Sequence, residues 1–206
     1  THCISSAASD VYKRQALGLI CKDGVVLASE KRVAYGYTIL SKVGKKVFKI
    51  TDHLGISCAG LVSDMQLLAK SLTAEAKLFE LNYKRPMKVK NLAKLLSVIL
   101  YNQKRTPYLT ETIVAGVDYT GPHLYVLDPL GSLIEDKYAA LGSGATLAIS
   151  LLESEFSPEL TIEKGEKLAV KAIKAAIKRD AVSGDGVDVL IFTPNGPIEK
   201  FVPVES

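Results

Sequence analysis

Glu30 and Lys46 are the residues of this sequence best placed to do chemistry together. Glu30 opens a charged run, Glu30-Lys31-Arg32, directly after Val25–Ser29, an apolar stretch that reads as a strand buried on both faces. Ionised groups at the end of a buried strand are costly unless paired. Lys46, in Gly44-Lys45-Lys46-Val47-Phe48 at the start of another apolar strand, is the partner the sequence offers. On spacing alone the pair reads as structural, since most ion pairs are. A carboxylate and an ammonium at two strand ends are also one step from a catalytic centre.

The elements that must position these groups come from periodicity and turn chemistry. Ala16–Cys21 and Val25–Ser29 read as strands joined at Lys22-Asp23-Gly24. Lys46–Ile50 and Leu54–Ala59 read as two more, turning at Thr51-Asp52-His53, with Gly60 ending the second. From about Val62 to Tyr83 the period is helical, with Met65, Leu68, Leu72, Ala76 and Phe79 in one stripe and Pro86 as the stop. A second helix runs from about Val89 to Gln103, with Leu92, Leu96 and Ile99 inward. Strands return at Thr112–Val117, His123–Asp128 and Ser132–Tyr138. A third helix starts after Gly144 and ends before Pro158. Thr161 is placed to cap a fourth, which carries Leu168, Ala169, Ala172 and Ala176 and ends at Arg179-Asp180. Val187–Phe192 and Ile198–Val202 close the set through a hairpin at Asn195-Gly196. Strands, a helix pair, strands, a helix pair and strands again make an α+β chain. Two antiparallel sheets with helix pairs outside are the architecture this order predicts.

Several motifs, in order, carry a family resemblance. They are the run from Asp23 through Arg32, Lys42 with Lys45-Lys46-Val47, Cys58-Ala59-Gly60, Gly142-Ser143-Gly144, and the run from Arg179 to Gly186. Together they resemble a β subunit of an archaeal-type 20S proteasome, over the chain from Ala16 to its end. The resemblance implies the four-layer αββα sandwich of the N-terminal-nucleophile hydrolases. It implies a threonine-type endopeptidase needing no cofactor, whose nucleophile is the hydroxyl of an N-terminal threonine and whose base is that residue's own α-amine. Lys46 matches the lysine that lowers the pKa of both groups by opposing positive charge, and Glu30 the acid that holds it protonated. Ser143 matches a hydroxyl that contacts the amine and relays protons; its simpler reading is a helix cap. Asp180 and Ser183 match the pair that orients the amine and the lysine; by themselves they read as hydrogen bonds of a helix C-terminal loop. Gly60 matches the residue whose N–H meets the developing oxyanion, and also reads as a strand-ending glycine. Val33, Ala34, Cys58 and Val62 fall at positions lining the substrate groove and its first specificity pocket, with Lys45 and Phe48 nearby, so cleavage after hydrophobic residues is expected. Arg32 reads as a charge that packs and pairs near the site.

One position departs from the pattern. Counting back from Gly18, the nucleophile falls on Arg14, whose guanidinium stays protonated and offers no nucleophilic atom. Thr1 lies well upstream. Residues 1–15, THCISSAASDVYKRQ, are polar and aperiodic and do not fit the rest of the chain. They read as a tail, a propeptide or a foreign segment resembling translated adaptor sequence, and are set apart from residues 16–206, a single domain. Replacement of the native start is preferred over a naturally inactive β subunit or an uncleaved propeptide, because the rest of the site set is present.

Composition bounds the alternatives. A net charge of +4, with basic residues in scattered pairs, makes no case for nucleic acid. No apolar run spans a bilayer and no secretory leader is evident. Cys21 and Cys58 lie in apolar runs and read as buried thiols in a reducing cytoplasm, while His53 and His123 are isolated and give no metal-ligand spacing. By resemblance the partners are proteasome α subunits and other β subunits in stacked heptameric rings, an ATP-dependent unfoldase and unfolded polypeptide. The competing functions are a structural β subunit that assembles without cutting and a subunit of the simpler bacterial two-ring peptidase.

Overall fold

The computed structural model describes residues 15–35, 38–178 and 184–204. Two five-stranded antiparallel sheets form its middle. Strands β1 (Gln15–Cys21), β2 (Gly24–Glu30), β10 (Tyr138–Gly142), β11 (Val187–Thr193) and β12 (Gly196–Val202) make sheet I in the order β10-β1-β2-β11-β12. Strands β5 (Val47–Lys49), β6 (Leu54–Gly60), β7 (Thr110–Asp118), β8 (Gly121–Leu127) and β9 (Leu133–Glu135) make sheet II in chain order. A small hairpin, β3 (Val33–Tyr35) with β4 (Thr38–Ser41), comes after β2. Helices α1 (Val62–Tyr83) and α2 (Val89–Asn102) cover sheet II, and α3 (Ala145–Glu155) and α4 (Ile162–Ile177) cover sheet I. The result is the four-layer αββα sandwich expected.

Alternation along each strand builds the layers, because successive side chains point to opposite faces. In β1, Leu17, Leu19 and Cys21 face α3 and α4, while Ala16 faces sheet II. In β6, Leu54, Ile56 and Cys58 face α1 and α2, while Ala59 faces sheet I. The layer between the sheets holds Val25, Leu27, Val47, Ile113, Leu124, Leu190 and Phe192, all buried. Both faces of the central strands are covered, which is why the run Val25–Ser29 carries no polar alternation.

The structure corrects the reading in four places. The segment read as one strand, Ser132–Tyr138, is two: β9 ends at Glu135 in sheet II and β10 begins at Tyr138 in sheet I, so the chain changes sheets between them. The β3–β4 hairpin is not expected from the sequence, its strands being too short to show a period. On α2 the inward stripe is Leu92, Leu96 and Leu100, with Ile99 only half-buried. Thr161 sits at the N-cap of α4, but its side chain makes no cap bond; Asp23, from the first hairpin turn, accepts from the Ile162 N–H at 3.1 Å instead. A turn residue of sheet I thus does the capping, and fixes α4 against the strands it covers.

Phe192 is fully buried between the sheets. Phe192→Ala is expected to lower stability by about 3–5 kcal/mol, read from the midpoint shift in urea unfolding at constant m-value.

Candidate active site

Four strand ends meet at one edge of the sandwich. Antiparallel pairing sets the start of β1 beside the ends of β2 and β10, with Gln15 opposite Gly142 and Ala16 opposite Ser29. It also sets the start of β11 there, with Val187 opposite Glu30. From sheet II the segment leading into β5 arrives beside β6, and the Cys58 N–H donates to the Lys46 carbonyl at 2.9 Å. Gly60, two residues further along, ends β6 at the same edge.

Glu30 and Lys46 are in direct contact, and neither side chain has any solvent exposure. Lys46 is among the largest of the fully buried side chains described. Its ammonium also donates to the Arg32 carbonyl at 2.6 Å. The second carboxylate oxygen of Glu30 accepts the Arg32 N–H at 2.6 Å. Burial pushes the Glu30 carboxyl above the usual range; the Lys46 charge, its hydrogen bond and the backbone of Arg32 and Gly184 oppose that rise.

Around the pair, Lys31 turns the other way and binds both oxygens of Asp188 at 3.0 and 2.9 Å. Arg32 grips Asp185, Nε to Oδ2 at 2.7 Å and a terminal nitrogen to Oδ1 at 3.2 Å. The Arg32 hydrogen bond is the largest influence holding the Asp185 carboxyl below its usual range. The sequence offers Arg32 as a charge that packs and pairs near the site, without showing that Asp185 is its partner. The structure gives its backbone both ions of the buried pair, and the one hint of this in the sequence is its place just beyond the charged end of β2.

Ser143 is exposed and lies between Gly142, at φ +91°, and Gly144. Gly144, not Ser143, is the N-cap residue of α3, and no side chain makes the cap bond. Gly60 has φ +148°, and a Cβ there would overlap the Leu109 carbonyl beside β7. Only glycine fits this strand end. Cys58 is fully buried facing α1, in one apolar cluster with the half-buried Val62 and Phe48; burial pushes its thiol up to about 12, which makes it an inert core group. Val33 is buried, and its side chain packs over Gly44, whose N–H donates to the Lys31 carbonyl at 2.9 Å. The backbone of Ala34 lies in β3. Asp180, Ser183, Arg14 and the Ala34 side chain lie outside the described residues.

Among the described residues, no group of three or more His, Cys, Asp or Glu side chains could hold a metal ion.

The family model described as Proteasome subunit matches residues 14–192. This chain belongs to the proteasome subunit family. Its relatives in that family include β subunits of archaea. The Proteasome subunit beta 2 of Pyrobaculum neutrophilum is 53% identical over 190 residues, covering 92% of this chain and 94% of the relative. That of Thermofilum pendens is 49% identical over 197 residues, covering 96% and 97%. The Proteasome subunit beta 1 of Staphylothermus marinus is 52% identical over 180 residues, covering 87% and 84%. Membership implies assembly with other proteasome subunits. No helix among the described residues is long and apolar enough to cross a membrane.

Gln15 is the misfit in this proteasome-type edge. It is buried, it packs against Gly144, and neither end of its amide has a partner among the described residues. A buried unsatisfied amide costs about 1–3 kcal/mol, so Gln15→Val is expected to raise the unfolding free energy by that order, measured by denaturant titration. Removing one member of the buried pair has the opposite sign. Glu30→Leu or Lys46→Met alone is expected to cost about 3–5 kcal/mol, and the double replacement markedly less than the sum, in a double-mutant cycle of unfolding free energies.

Proposed function

We propose that this chain is a β subunit whose sandwich edge is a threonine-type peptidase site, competent when threonine is the first residue at position 14. The buried Glu30–Lys46 pair carries the reading. An ion pair serving only to hold two strands is replaceable by apolar contacts at little cost, whereas a lysine kept charged by a carboxylate and a carbonyl supplies positive potential where an N-terminal hydroxyl and amine would lie. That potential favours loss of the hydroxyl proton and keeps the amine neutral, so that it can accept one. Gly60 would give its N–H to the oxyanion. Ser143, Asp180 and Ser183 would orient the amine and pass protons. Val33, Ala34 and Val62 would line the groove and its first pocket, with Phe48 beside Val62 and the fully buried Cys58 backing that apolar wall. Substrates are unfolded polypeptides, admitted to a chamber formed by stacked heptameric β rings capped by α rings and fed by an ATP-dependent unfoldase in the cytoplasm.

Arg14 supports a second reading, a structural subunit that assembles without cutting. The Gln15 amide, which finds no partner among the described residues, favours the first, because the present start of β1 suits its own pocket poorly.

The test is a chain that begins at position 14 with threonine, assembled with α subunits and treated with a peptide epoxyketone, which captures a hydroxyl and an α-amine on one residue. A covalent adduct on that threonine and peptide hydrolysis are expected. Lys46→Met is expected to lower kcat/KM by about 10²–10⁴-fold. An assembled particle with neither adduct nor hydrolysis establishes the structural reading. The acid limb of the rate profile adds a check on Glu30. Its folded pKa lies above the ordinary carboxyl value, so falling pH neutralises it earlier than an exposed glutamate and weakens its hold on Lys46. Loss of the Glu30 charge is expected to steepen the acid limb that α-amine protonation already imposes, from a pH above the ordinary carboxyl range, and Glu30→Gln to remove that steepening along with most of the rate.

A further inference from the structure

Arg32 joins three parts of the chain that are distant in sequence. Its N–H holds the Glu30 carboxylate and its carbonyl holds the Lys46 ammonium, each at 2.6 Å. Its guanidinium forms a two-point grip on Asp185 with both side chains largely buried. Charge-assisted, bidentate contacts of this kind fix orientation as well as distance. The loop it grips is not relaxed by itself. Asp185 has φ +69°, which L residues seldom adopt, and Gly186 comes next at φ +128°. Gly184 lies against the guanidinium so closely that a Cβ would overlap it. The backbone of Gly184 in turn hydrogen-bonds the Glu30 carboxylate. Such a backbone persists only where its surroundings over-determine it, and here the guanidinium of one arginine is central to those surroundings. The pattern Gly184-Asp185-Gly186 is thereby explained residue by residue: a flat approach, a carboxylate, and a second unusual φ.

We propose that Arg32 is a positioning residue, a clamp that sets residues 184–186 against the buried Glu30–Lys46 pair and so fixes the course of the chain there. Its effect on rate rests on the peptidase reading; its effect on the loop does not. Arg32 touches no reacting atom. It acts through the Glu30 carboxylate, which it holds by its own backbone and, through Gly184, by the loop. Lysine is a poor substitute, since an ammonium carries the charge without the planar fork.

Backbone amide exchange of the full chain tests the clamp directly. Arg32→Met and Asp185→Asn are each expected to speed exchange at residues 184–186 at least tenfold, to leave β6 and β7 unchanged, and Arg32→Lys to fall between. Asp185→Asn approaches the clamp from the loop side, so it decides the matter if Arg32→Met does not fold. In the assembled, threonine-started subunit, Arg32→Met is expected to lower kcat ten- to a hundredfold with KM within twofold, Arg32→Lys recovering part. Unchanged loop exchange in the variants, or an equal rise throughout sheet II, overturns the clamp. So does faster loop exchange with kcat intact. If the threonine-started parent is itself inactive, the peptidase reading fails and amide exchange alone decides the clamp.

Discussion

Two opposite charges sealed inside the protein set the terms for everything around them. Glu30 terminates a strand of one sheet and Lys46 precedes a strand of the other, and both are wholly withdrawn from solvent. Taking such ions out of water costs several kcal/mol each, and their attraction offsets this only when every remaining donor and acceptor is met. The fold meets them with backbone: the Arg32 N–H and carbonyl, and the Gly184 backbone. The pair therefore has tight tolerance. A small slide of one sheet over the other would leave a charge without its partner, so the contact acts as a register pin between layers that apolar packing alone would let shift.

Apolar packing supplies the rest. The inter-sheet layer is built from medium-sized aliphatic side chains with Phe192 as its one aromatic member among the fully buried residues, and helix pairs close the outer faces. No polar ladder is needed to keep the sheets together away from the edge. Polar chemistry concentrates instead where strands end, because there the backbone has unspent N–H and carbonyl groups to offer ions. This is why charged and polar groups can gather at this edge of the sandwich without weakening its middle.

Much of this is legible in the sequence. Apolar runs and turn residues mark the strands, and the period of Met65, Leu68, Leu72 and Ala76 marks α1. The Glu30–Lys46 contact comes from the cost of leaving either charge alone. What escapes reading depends on long-range geometry. The change of sheet between Glu135 and Tyr138 leaves no mark on residue type, because both halves remain extended. Asp23 as the cap of α4 involves a residue far away in sequence, while the nearby Thr161 satisfies the local rule. Ile99 and Leu100 are adjacent and equally apolar, so only the packed helix decides which turns inward. Arg32 shows its charge but not its fork, since its partner Asp185 stands far along the chain, beyond α4.

The pairing of β2 with β11 has a consequence for how the molecule comes together. Sheet II is continuous in the chain, from Val47 to Glu135, whereas sheet I joins the earliest strands to the latest. Nascent chain can complete sheet II long before sheet I. Until Val187 docks beside Glu30, one flank of that carboxylate stays open to water, and its ionisation is unhindered. The charges can therefore be fully enclosed only once β11 has docked, after every strand of sheet II has left the ribosome.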